Sequence, residues 1–476
     1  MLITSLAYTC FVSALVCLVF ATLFPVLRAP TMSLAHNAAC VVSDAIGIRE
    51  LNSSRGTARV GRSHESFRGS KHSVGSRRSP RLSRATADNS NREGTADALA
   101  TGSPRSGSVK SLSPRSTVAR GVGAGERGNE KSSGPTHLYV LVHGLGGTPE
   151  DLSCLERCIL RRAGANALVL KPGCNLAGRS FDGVPNGARR VAEEINYVVA
   201  AHKKTLTHIS LVGNSLGGLY ARYCASILYD QGTNTIAGLK PKHYLTTATP
   251  HLGVGPFGYL GFFPSSVRQL GGSLMGTTTK QLLLLDTDTC PAPLLVQMAD
   301  PSSDFVEALA AFRTRCAYAN ATNDFLVAYE TASLDPDAAE ALRRRKSGMP
   351  HEAKNNNNGW GDSSDGKSSH RGWAGGVGGF SGSARIVDER RVKAESKDGF
   401  LKASSSKTSS GDSQRVQRVI AAGLRTLEWY HVDVEFPGVA PLAHNKICAL
   451  QRDLVTRWLF SDGEFVVEHQ AEYLTK

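Results

Sequence analysis

The chain has 476 residues and a formal net charge of +14, with 41% hydrophobic and 20% charged residues. Spread over a folded face, that excess of cation would point to nucleic acid or an anionic membrane, but residues 49–131 alone hold 17 Lys/Arg against 7 Asp/Glu. The charge belongs to one low-complexity stretch without the aromatic-interleaved motif that reads bases, so no specific nucleic-acid partner is expected.

Residues 1–27 contain no charged side chain and are rich in Leu, Val, Phe and Ala. A run of about 20 apolar residues can cross a bilayer as a helix. The first charge, Arg28, follows the run and many basic residues come after it, which favours a membrane anchor with the catalytic part in the cytosol. A cleaved signal or organelle-targeting segment, and with it a secretory or organellar location, is the competing reading. Residues 28–135 then read as a basic, disordered linker dominated by Ser, Arg and Gly. Its repeated Ser79-Pro80-Arg81, Ser103-Pro104-Arg105 and Ser113-Pro114-Arg115 are either proline-directed phosphorylation sites or plain solvated linker, the simpler reading.

From residue 136 the pattern changes. Apolar runs at 137–142, 167–170, 208–212, 244–247 and 316–319 alternate with helical periodicity, notably over 187–202 and 216–229. Residues 335–415 interrupt this pattern with Arg343-Arg344-Arg345-Lys346, the asparagines Asn355 to Asn358 and a Gly-rich segment from Gly372 to Gly382. That stretch reads as a disordered surface insertion. Residues 136–334 and 416–476 remain, enough for one α/β domain: a mostly parallel central sheet with helices on both faces, closed by a helix over 447–459. Ten cysteines show no paired ligand spacing, and Cys154 with Cys158 reads as two buried thiols on one helix face.

The strongest motif is Gly213-Asn214-Ser215-Leu216-Gly217-Gly218, between a strand and a helix. G-x-S-x-G in that context is a nucleophile elbow: a sharp turn lifts the serine Oγ above the sheet, and the glycines let neighbouring backbones approach. His143-Gly144-Leu145-Gly146-Gly147 ends the first strand and suits an oxyanion turn, whose N–H donors stabilise charge on the carbonyl oxygen. The donors expected are Leu216 N–H and Leu145 N–H, with Gly146 as the alternative to Leu145; an ordinary Gly-rich turn would look the same.

A serine nucleophile needs a base and an orienting acid, in the order Ser, acid, His for an α/β hydrolase. Asp324, on the loop after the 316–319 strand, and His444, in a late loop, satisfy that order. Asp286 and Asp288 are the alternatives for the acid. His251 precedes every candidate acid and His431 sits within an apparent strand, so both read as structural. Residues 254–275, with Phe257, Tyr259, Phe262 and Phe263, are either a lid or a cap on the core.

These blocks together resemble the DUF676-type serine esterases, a lipase-like branch of the α/β-hydrolase superfamily. The resemblance rests on Leu141 to Gly147, Ser180-Phe181-Asp182-Gly183-Val184 with Gly187, Arg189 and Glu194, Gly213 to Arg222, Thr249 to Gly253, Tyr318-Ala319-Asn320 with Asp324, and Ala443-His444. It implies an α/β-hydrolase fold, the triad Ser215, Asp324 and His444, and a carboxylic-ester substrate, a lipid, with no metal or organic cofactor. Asn214 stands where many lipases carry His, a position that tolerates polar residues. An acyltransferase on the same triad, or an inactive membrane-associated scaffold of the same fold, are the rival readings; sequence is silent on oligomeric state.

Overall fold

The computed structural model describes residues 112, 115–121, 134–254, 276–288, 292–347, 384–405, 413–438 and 442–476. All fall within one unit, Gly102–Lys476. The expected anchor 1–27, the Ser-Pro repeats, the 255–275 segment and residues 348–383 lie outside the described residues.

Eight strands form one sheet: β1 (Thr117–Arg120), β2 (His137–Val142), β3 (Ala167–Lys171), β4 (His208–Asn214), β7 (Lys240–Thr247), β8 (Thr314–Asn320), β9 (Arg385–Val392) and β10 (Trp429–Glu435). Two-residue strands β5 (Tyr229–Asp230) and β6 (Thr235–Ile236) make a separate hairpin. The order across the sheet is β1-β3-β2-β4-β7-β8-β10-β9, with β1 and β9 antiparallel at the two edges and the six inner strands parallel. This is the α/β-hydrolase arrangement expected from the sequence. All inner strands therefore point their carboxyl ends to one edge, and the loops that leave that edge build the site.

Residues in β2 show why the inner strands read as unbroken apolar runs. Leu138, Val140 and Val142 face one core and Tyr139 and Leu141 the other, so a period of two is hidden because both faces are buried. The first core packs α2 (Val184–Ala201), α3 (Leu216–Leu228), α4 (Asp304–Ala310) and α7 (Ser413–Leu424) against the sheet. The second packs α1 (Ser153–Ala163) and α10 (Glu464–Thr475). Cys154 and Cys158 are buried in α1 as free thiols.

Three expectations need correction. Thr117–Arg120 lies in the stretch read as disordered linker, yet it pairs with β3 from Thr117↔Lys171 to Arg120↔Leu168. The insertion is not wholly disordered: α5 (Ala338–Ser347), β9 and α6 (Lys397–Ser405) are formed within it. β9 pairs with β10 along its length, so its charged sequence is that of an edge strand with one open side. The single helix expected over 447–459 is not formed either. Helix α8 (Ala443–Lys446) ends early, Ala449 takes a φ of 45°, and a new helix, α9 (Leu454–Leu459), starts from an Asp453 N-cap whose side chain accepts from Thr456 N–H at 2.8 Å.

At the amino ends of the strands two histidines are buried uncharged. His137 Nε2 meets Ser210 Oγ at 2.8 Å, and His243 Nδ1 meets Thr314 Oγ1 at 2.8 Å. Burial, reinforced by the nearby Lys242 cation, lowers each from 6.5 to about 3. Between those limits the unfolded chain binds protons that the folded chain refuses, so stability rises with pH across this window and falls on acidification through it. The urea midpoint is expected to drop steadily from about pH 6.5 to about pH 4, and His137→Asn to flatten that drop. A pH-independent midpoint over the window would show that these histidines are protonated in the fold.

Candidate active site

Strand β4 ends at Asn214, and Ser215 turns the chain into α3 with φ 54° and ψ −128°. A non-glycine residue held there carries strain of about 1–3 kcal/mol, which the surroundings must over-determine. They do so by backbone packing. Ser215 N–H donates to Thr247 O at 2.8 Å, and Asn214 Nδ2 donates to Thr247 Oγ1 at 2.9 Å, tying the turn to β7. A Cβ on Gly217 would lie 2.1 Å from Val142 O, and one on Gly213 would lie 2.3 Å from Gly218 N. Both glycines of the motif are thus required by contact. The seat of Ser215 at the start of α3 also directs the helix's first N–H groups toward its own position.

The turn after β2 closes over this elbow: a Cβ on Gly144 would stand 2.8 Å from that of Ser215. Two of its amides are already engaged. Gly146 N–H donates to Ser180 Oγ at 3.0 Å and Gly147 N–H to Gly144 O at 3.1 Å. His143 is buried, with Nδ1 at 3.0 Å from Gly144 O, and burial lowers its pKa. The ring serves the turn and is covered from solvent.

Asp324 and His444 are brought together. His444 Nδ1 lies 3.1 Å from Asp324 Oδ2, with side-chain exposures of 10% and 2%. The carboxylate accepts three further bonds, from Asn320 Nδ2 at 2.7 Å, Leu326 N–H at 3.0 Å and Val327 N–H at 2.9 Å. These donors compensate for its burial and fix both oxygens. Among the described residues no hydrogen bond joins Ser215 Oγ to His444.

The rival residues have other duties. Asp286 Oδ2 accepts from Leu294 N–H at 3.0 Å, and Asp288 pairs with Lys280 at 3.6 Å. His251 is fully buried, with Nε2 at 3.0 Å from Thr246 Oγ1 and its ring edge-on to Trp429. Burial, the Arg222 guanidinium and His431 hold its pKa well below 6.5. His431 is buried in β10 and held low by burial and by Arg390 and Arg425. Neither ring is placed to meet Ser215 as a base.

Two positioning residues went unassigned in the sequence reading. Ser180 holds the turn after β2 through Gly146 N–H, and Asn320 holds Asp324. Both stand inside the blocks that carry the family resemblance, but nothing in their spacing indicated a role.

An elbow, a glycine turn against it and a buried Asp–His pair thus share the carboxyl edge of one sheet. Residues 132–335 match the family described as "Putative serine esterase (DUF676)". The matched segment carries Ser215 and Asp324, whereas His444 lies beyond it. A relative named "Putative lipase C4A8.10" from Schizosaccharomyces pombe is 31% identical over 212 residues, covering 42% of this chain and 26% of that protein. "Putative lipase ROG1" from Saccharomyces cerevisiae is 29% identical over 204 residues, covering 42% and 28%. The chain therefore spans between about a quarter and a third of the length of these curated relatives. Among solved structures, an esterase from Thermogutta terrifontis aligns over 48% of this chain and 73% of its own, at 13% identity and a TM-score of 0.30.

Gly217→Ala is expected to destabilise the protein by at least about 2 kcal/mol, because the clash is with a backbone carbonyl that cannot rotate away. Gly178→Ala, where a Cβ meets nothing within 4 Å, should leave the urea midpoint in place. Equal midpoints for the two variants would show the elbow to be looser than the geometry requires.

Proposed function

We propose that the chain is a carboxylic-ester hydrolase acting on lipid esters through Ser215, His444 and Asp324. The observation that carries this reading is the Asp324–His444 hydrogen bond, set at the same sheet edge as the Ser215 elbow. His444 Nε2 accepts the proton of Ser215 Oγ as the oxygen attacks the ester carbonyl carbon. The carbonyl π pair moves onto oxygen, and the resulting oxyanion is held by Leu216 N–H and Leu145 N–H. Leu145 is favoured over Gly146 because the Gly146 amide is already donated to Ser180. His444 then returns the proton to the leaving alcohol, and water, activated by the same ring, frees the acid from Ser215.

Asp324 keeps its carboxylate toward Nδ1, which fixes the ring tautomer and stabilises the imidazolium formed during attack. The apolar nature of the ester is inferred from the lipase names of the yeast relatives. Association with a membrane through residues 1–27, with the catalytic unit on the cytosolic side, belongs to the same proposal.

Labelling the full chain with a fluorophosphonate probe and mapping the adduct by peptide mass tests the chemistry without guessing the ester. The adduct is expected on Ser215 and to vanish in Ser215→Ala. Asp324→Asn is expected to slow ester turnover by about 10³–10⁴-fold, because the amide favours the wrong tautomer. Undiminished turnover in Asp324→Asn would remove Asp324 from the triad, and a folded chain inert to the probe would favour the scaffold reading.

A further inference from the structure

The rim around the site carries apolar side chains that the fold leaves uncovered. Leu145 in the turn after β2 is 39% exposed, and Leu326, two residues past Asp324, is 54% exposed. The largest exposure is on α9, none of whose residues is buried: Leu454 is 83%, Trp458 69% and Val455 51% exposed. These three stand at i, i+4 and i+1, on one side of the helix. With Leu459, six of the nine exposed large apolar side chains among the described residues lie on the turn after β2, the loop after Asp324 and α9, the helix that follows the His444 helix.

The helix is held in place from beneath. Arg452 binds both oxygens of Asp151, at 2.6 and 2.9 Å, and Asp151 accepts from Thr148 N–H beside the oxyanion turn. Asp453 and Thr456 cap α9 reciprocally. An apolar helix so anchored, with none of its own residues buried, is built to meet something outside the domain.

We propose that α9, with Leu145 and Leu326, is the surface by which the protein docks on a phospholipid bilayer and draws its ester substrate; this rests on the ester-hydrolase reading. Two observations select lipid over protein. Trp458 beside Leu454 is the pairing favoured at a hydrocarbon–water boundary, and the exposed Arg457 between them offers a cation to lipid phosphate. The same chain begins with 27 uncharged residues suited to membrane anchorage.

The test uses the full-length Ser215→Ala protein on phosphatidylcholine vesicles containing an anionic phospholipid and a trace of diazirine-bearing phospholipid. After photolysis, adducts mapped by peptide mass are expected within residues 454–459 and absent from Leu401, an exposed apolar residue of α6. Adducts confined to residues 1–27, or equal at Leu401, overturn the proposal. In the active protein, Leu454→Ser with Trp458→Ser is expected to lower the ratio of vesicle-borne to soluble ester hydrolysis by about tenfold or more. An unchanged ratio overturns the proposal, as does a wild-type dimer in sedimentation that the double variant dissolves, since the face would then join two copies. If wild-type protein hydrolyses neither ester, the function reading fails while the adduct map still decides the surface.

Discussion

A single hydrogen bond between residues 120 positions apart, His444 Nδ1 to Asp324 Oδ2, governs how the second half of the chain is laid out. It requires the ends of β8 and β10 to be neighbours, and the parallel pairing from Tyr430↔Cys316 to Val434↔Asn320 provides that. Everything between them must leave the sheet edge and come back beside it. The chain does so by running β9 antiparallel along β10 and then α7 under the sheet, so that a long excursion ends in register. Ala443 N–H to Asn323 O at 3.3 Å closes the last gap next to the pair itself. Loop-closure entropy grows only slowly with loop length, which is why an insertion here can be tolerated so long as its two ends are fixed by the sheet.

Much of this was legible in the sequence because the inner strands are covered on both faces. Unbroken apolar runs at 137–142 and 208–212 have few other uses in a chain of mixed strands and helices, and the Ser215 motif falls between a strand and a helix as its geometry requires. The edges were not legible. Thr117–Arg120 and Arg385–Val392 gain stability from backbone pairing with one neighbour, so their side chains are free to be polar and charged, and composition says nothing. The break at Asp453 was hidden for a different reason: Leu454, Val455, Trp458 and Leu459 look like core residues to any periodicity argument, and only the structure shows them outside. Asn320 and Ser180 act through one hydrogen bond each to a residue remote or locally reoriented in space, which spacing along the chain does not encode.

The site also separates histidines by environment. His251 lies deep beside the fully buried Arg222, whose own guanidinium is lowered to about 10 by burial, while His431 is buried with Arg390 and Arg425 acting on it. Burial, with these cations nearby, makes a further positive charge unfavourable and keeps both rings neutral. His444, by contrast, stands at the end of the sheet against a carboxylate that is itself saturated with donors. The same side chain thus stands in two settings: one pair of rings fills space around Trp429, and one ring is bound to a carboxylate at the sheet edge.

The edge strand β1 has a mechanical consequence. It is four residues long and, among the described residues, pairs as a strand with β3 alone, and the chain N-terminal to it leads back through the basic stretch to the uncharged run at the start. Tension applied from that side reaches the four-residue β1–β3 ladder before it reaches the parallel strands that set Ser215, Asp324 and His444. Such a short ladder yields at lower force than the buried sheet behind it, so β1 acts as a mechanical fuse: a pulled tether would strip the edge and lengthen by a few residues while the catalytic edge kept its shape.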